Sequence, residues 1–175
     1  MPIFEVVSPA VRAAVKVTSG RIGVIGTRAT INSQVYKKLI HQQNPSIKVF
    51  SQAAPLLVPL VEEGWLKKQE TKKIVKRYLK SLRSEKIDTL ILACTHYPFL
   101  RTMIQTKIGR KVKIIDPGEE VAKEIKEFLA KNSEIEKTLI KGLDHKFFVS
   151  DLTPKFQELA TKWLEQKIKL ERINL

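Results

Sequence analysis

The sequence predicts an α/β fold built on a parallel sheet, and three observations predict it. Short apolar runs alternate with amphipathic segments along most of the chain, the pattern of strands joined by crossover helices. In the run Asp88-Thr89-Leu90-Ile91-Leu92-Ala93, the four residues from Leu90 on are apolar on both faces, as a strand covered by helices on each side must be. Small, polar or reactive residues follow the strand-like runs, and in open parallel sheets ligands collect at those ends.

Taken in order, Ile3 to Val7 reads as a strand and Pro9 to Val17 as a helix, with Ser8 as cap and proline in the first turn. Arg21 to Gly26 is a buried strand, followed by a helix from about Thr30 to His41. Ile47 to Phe50 is strand-like. Leu56 to Glu63 is helical and breaks at Gly64. From Lys67 to Lys86, basic residues surround Ile74, Val75, Tyr78, Leu79 and Leu82, which recur at helical spacing. After the strand Asp88–Ala93 come a helix Pro98–Ile108, a strand Val112–Ile115 and a helix Gly118–Lys131. The polar stretch Asn132–Gly142 is the weakest-patterned connection, and a strand Lys146–Val149 and a helix Pro154–Gln166 close the chain.

Composition excludes several classes. The 175 residues carry 32 basic and 18 acidic side chains, a formal charge of +14, with 43% hydrophobic residues. That is the balance of a globular protein rather than a disordered one. The single cysteine, Cys94, rules out a disulfide within one chain, and the three histidines show no zinc-ligand spacing. The longest apolar stretch, Ala53 to Val61, is too short to span a bilayer and holds two prolines. The opening residues do not read as a signal peptide, so the expected compartment is the bacterial-type cytoplasm. The basic segment lacks interleaved aromatic residues and any helix-turn-helix or RNA-binding signature, which favours a solvated lysine-rich face over a nucleic-acid site.

Ala93-Cys94-Thr95-His96-Tyr97-Pro98 carries the most chemistry. A cysteine between a strand's carboxyl end and a helix start is expected to have a lowered pKa, favouring the thiolate that acts as base or nucleophile. His96 then assists it. The same residues also fit a small core cysteine with a satisfied polar neighbour. Thr27 and Thr30, after the strand Arg21–Gly26, are hydroxyls at a helix entrance, suited to a carboxylate or to ordinary capping. The glycines around them form neither a dinucleotide fingerprint nor a phosphate-binding loop. Glu62 ends an apolar segment, where it either pairs with a histidine or sits solvated beside Glu63.

Ala93 to Pro98 resembles the second catalytic-cysteine motif of the glutamate racemases. Ser8 to Ala14, Gly23 to Ile31, Pro55 to Gly64, Ile115-Asp116-Pro117-Gly118 and Phe147 to Leu164 resemble segments of the same family in the same order. The resemblance implies a racemase of two α/β lobes that works without a cofactor. It interconverts L- and D-glutamate by cysteine acid/base chemistry and supplies D-glutamate for peptidoglycan. It further implies catalytic roles for Cys94, His96 and Glu62, and substrate contacts from Thr95, His96, Thr27 and Thr30. Residues 1–116 would form one lobe and 117–175 the C-terminal part of the other. The family's Asp-Ser-Gly opening and its Cys-Asn-Thr cysteine do not occur in this sequence. The expected partner is therefore a second copy or a complementary N-terminal half, with no activity from the chain alone. The alternatives are an aspartate racemase, which Thr95-His96 disfavours, and a non-catalytic relative binding through its basic face.

Overall fold

The computed structural model describes residues 2–140, 142 and 145–173. The chain forms two compact units, Met1–Lys131 and Asn132–Leu175. In the first, helix α1 (Val7–Val17) leads to strand β1 (Arg21–Gly26), helices α2 (Arg28–Ser33) and α3 (Val35–Gln43), and strand β2 (Lys48–Ala53). Helices α4 (Leu57–Glu62) and α5 (Gln69–Ser84) precede strand β3 (Thr89–Ala93). A 3-10 turn (Tyr97–Leu100), helix α6 (Arg101–Ile108), strand β4 (Lys113–Ile115) and helix α7 (Pro117–Lys131) complete it. All four strands are parallel, in the order β2-β1-β3-β4.

Helices cover both faces of this sheet. On one, Ala10, Val11 and Ala14 of α1 and Tyr36 and Ile40 of α3 pack on Ile22 and Val24 of β1 and Ile91 and Ala93 of β3. On the other, α5 packs against β2 and α6. It buries Val75, Leu79 and Leu82, whose spacing makes one stripe, and turns its lysines and arginines outward. Burying a side chain of this size contributes roughly 1.5–3 kcal/mol, so the fully buried β3 anchors the unit. Among the described residues no helix is long and apolar enough to cross a membrane.

Several elements differ from the sequence reading. Ile3 to Val7 is not a strand: Ile3 is 88% exposed, and α1 already begins at Val7. Ser8 lies inside that helix, whose N-cap position is Val6; the first N–H groups are instead met by the preceding Glu5, whose carboxylate accepts those of Val7 at 2.5 Å and Ser8 at 2.7 Å. The helix expected over Thr30–His41 is two helices, broken at Gln34 in the left-handed region with φ 56°. The helix expected from Pro98 starts as the 3-10 turn and becomes α-helical only at Arg101.

The second unit contains helix α8 (Ser133–Thr138), strand β5 (Phe147–Val149), helix α9 (Pro154–Trp163) and strand β6 (Leu170–Arg172). The connection Asn132–Gly142 thus holds a short helix; its Lys141 lies outside the described residues. β5 and β6 pair in parallel across α9. Thr153 caps that helix through the N–H of Phe156, and the Gln157 side chain bonds the backbone at Ile168 and Leu170.

Candidate active site

The strand order places the site. From β1 the chain moves outward to β2, then returns to lay β3 on the other side of β1, so the topology switches between β1 and β3. In their register Gly26 stands opposite Ala93. The next residue on each strand, Thr27 and Cys94, therefore emerges side by side at the carboxyl edge. Glycine permits this approach, since a β-carbon at Gly26 would stand 3.1 Å from the Ala93 carbonyl oxygen.

A cavity of about 700 Å³ opens there, lined by Thr27, Thr30, Cys94 and Thr95, with Tyr36 and Asp116. Four of the residues singled out in the sequence thus share one wall. Thr27 caps α2 by accepting the Thr30 N–H at 3.3 Å, and the two hydroxyls lie 3.0 Å apart. Capping and cavity lining coexist in the same side chains. Thr95 Oγ1 stands 3.4 Å from His96 Nδ1, and the opposite ring nitrogen, Nε2, is 3.2 Å from Glu62 Oε1. His96 thus has a carboxylate partner, although neither it nor Glu62 lines the cavity. A carboxylate on one ring nitrogen fixes the imidazole's orientation and tautomer.

The expected lowering of the Cys94 pKa is corrected. Burial pushes the thiol above its ordinary value and the Glu62 carboxylate adds to the rise, while the N–H groups of His96 and Tyr97 pull against both. The reason is local. A 3-10 turn follows Cys94, and the next α-helix starts only seven residues later, so the α-helix start expected directly after the cysteine is displaced from it. Cys94 remains partly accessible.

Two lining residues had no assigned role in the sequence reading. Asp116 follows β4 and is buried, accepting the Gly118 N–H at 2.9 Å with Arg101 4.0 Å away. Its position at a strand's carboxyl end was a legible signal. Tyr36 had none: it comes from α3, where spacing places it with Ile40 in the core. A separate surface groove of about 530 Å³ on α5 is lined by Lys73, Lys76, Arg77, Lys80 and Arg83.

Known proteins resemble this chain in sequence and in fold. Residues 1–125 match the Asp/Glu/Hydantoin racemase family. A glutamate racemase of Geobacter metallireducens is 41% identical over 169 residues, covering 96% of this chain and 62% of that protein. The crystal structure of a glutamate racemase isoform from Bacillus anthracis superposes with a TM-score of 0.89 at 38% identity, covering 100% of this chain and 65% of that one. That of the Francisella tularensis glutamate racemase in complex with D-glutamate gives 0.87 at 30%, covering 99% and 64%. The chain therefore spans a little under two thirds of the length of these relatives. With the family match running through the sheet, the cavity and the Cys94 motif, the chain belongs to the Asp/Glu/Hydantoin racemase family.

Proposed function

We propose that this chain carries one half of the acid/base machinery of a glutamate racemase, acting without a cofactor. The observation that carries the proposal is the convergence of Cys94, Thr95, Thr27 and Thr30 on one cavity at the β1/β3 switch point. Racemisation needs a base on one face of the α-carbon and an acid on the other, each within hydrogen-bonding reach. Cys94 is one of that pair: as thiolate it takes the α-proton, and as thiol it returns one. The Thr27, Thr30 and Thr95 hydroxyls hold the substrate's polar groups. The Glu62–His96 pair assists Cys94, the imidazole handling the proton on its way to or from solvent.

The second thiol comes from polypeptide outside these 175 residues, because this sequence has one cysteine. In the complete enzyme residues 1–116 form one lobe, and residues 117–175 join the additional segment in the other. Supporting this, the second unit leaves Leu139, Ile140, Phe148, Leu152, Phe156 and Leu164 exposed, apolar surface suited to covering by further protein. That segment is a complementary N-terminal portion, and the D-glutamate formed serves peptidoglycan synthesis in the cytoplasm.

The test is co-expression with the N-terminal third of a glutamate racemase relative, followed by assay of both glutamate enantiomers. The proposal expects a defined complex that interconverts them, and no interconversion by the chain alone. A soluble complex that binds glutamate but never racemises it would contradict the catalytic reading. Interconversion by the chain alone would contradict the external thiol.

A further inference from the structure

Two tyrosines lie close enough to Cys94 to feel its charge, and they differ in what holds their protons. Tyr97 donates its hydroxyl to the Ala54 carbonyl at 2.9 Å, so its proton is committed to the fold. Tyr36 is 5% exposed, yet among the described residues its hydroxyl has no hydrogen-bond partner. Among those residues no side-chain polar atom is sealed from solvent and left unpaired. The Tyr36 oxygen must therefore touch open space, and the open space beside it is the cavity it lines with Cys94. A phenol whose ring is locked in the core of α1, α3 and the sheet, with its O–H directed at a void, is a fixed donor awaiting an acceptor.

We propose that Tyr36 is a positioning residue for Cys94: its hydroxyl donates to the thiolate across the cavity through a bridging water, and so stabilises the charged form. Burial, then the charges of Glu5 and of Cys94, push the Tyr36 pKa up to about 12, so the phenol keeps its proton throughout the neutral range. This donor acts with the N–H groups of His96 and Tyr97, and against burial and Glu62. Asp116, on the same cavity, and His96 are the other titratable groups near the sulfur. The inference rests on reading Cys94 as an acid/base group, but its test does not use racemisation.

Because the chain has one cysteine, the rate of alkylation by iodoacetamide across pH reports Cys94 alone. In the 175-residue chain, Tyr36→Phe should raise the alkylation midpoint by about one pH unit, the scale of a hydrogen bond to a charged group. Tyr97→Phe should leave it where the wild type has it. Incorporation of 3-fluorotyrosine at position 36 keeps the ring and sharpens the donor, and should move the midpoint down. An unchanged midpoint in a folded Tyr36→Phe chain would overturn the inference. So would equal rises in Tyr36→Phe and Tyr97→Phe, since lost packing rather than a donated proton would then be moving the thiol. If Tyr36→Phe fails to fold, the fluorinated chain decides: no downward movement overturns the proposal. Should the midpoints move as stated while a racemase assembled with Cys94→Ser stays active, the catalytic reading fails and the Tyr36–Cys94 coupling stands.

Discussion

The two ends of β3 carry polar groups of opposite fate. At its entrance Asp88 accepts hydrogen bonds from Thr18 Oγ1 at 2.5 Å, Thr89 Oγ1 at 2.8 Å and the Arg21 N–H at 3.0 Å. Burial alone would raise its pKa, but these donors and the Ser19 N–H outweigh it and hold the carboxyl below its ordinary value. At the exit Cys94 is half-buried, its thiol pushed up, and it faces a cavity. One strand, five residues long, thus joins a saturated carboxylate that ties β1 to β3 and a thiol left under-stabilised beside open space. A polar group with every partner supplied by the fold stabilises the fold. A thiol whose two N–H donors do not offset its burial, standing at a switch point beside a cavity, is instead placed to meet a ligand.

The contrast can be broken most readily through stability. Asp88→Ala strands two hydroxyls and two N–H groups, and should cost about 2–3 kcal/mol in urea unfolding. Cys94→Ala removes one small, partly exposed side chain and should cost under about 1 kcal/mol. Equal losses at the two ends would erase the distinction.

Acid sharpens the same contrast. The Asp88 pKa is depressed in the folded chain, so its contribution is complete above the unfolded value of about 3.9. That contribution is lost as pH falls through the lower folded value. Unfolding measured from pH 5 down to pH 2 should show this loss in the wild type. In Asp88→Asn that component of the slope should be missing, and an unchanged slope would mean that Asp88 is not held as described.

The smallest effect concerns the capping hydroxyl beside Cys94. Thr27→Ala removes the acceptor for the Thr30 N–H and should cost about 1 kcal/mol, whereas Thr27→Ser should recover most of it. A null effect of Thr27→Ala on stability would assign the hydroxyl to the cavity alone.

Much of this is legible in the sequence. The run Thr89–Ala93 could hardly be anything but a buried strand, and the strand-end rule directed attention to Thr27, Cys94 and Thr95. The role of Glu5 was hidden because it acts through a side chain reaching two and three residues forward, whereas Ser8 had the expected capping chemistry in the wrong place. The break at Gln34 carries no glycine or proline to announce it. α8 buries no residue, so it has no apolar face to read, and β6 is three residues with two charges. The pKa of Cys94 depends on burial and on the kind of turn that follows it, and neither is written in Cys-Thr-His-Tyr-Pro. The role open to Tyr36 depends on what its hydroxyl fails to touch, which only three-dimensional packing reveals.

The most direct test of Cys94 as one of two opposed acid/base groups is solvent deuterium exchange at the α-carbon of glutamate. It is read by NMR for each enantiomer in the racemase assembled from this chain and a complementary N-terminal segment. With Cys94 present, both enantiomers should acquire deuterium and interconvert. With Cys94→Ser, racemisation should cease and exchange should persist for one enantiomer only, the one whose α-hydrogen faces the remaining thiol. Racemisation close to the wild-type rate, or exchange into both enantiomers, in the Cys94→Ser enzyme would contradict the account.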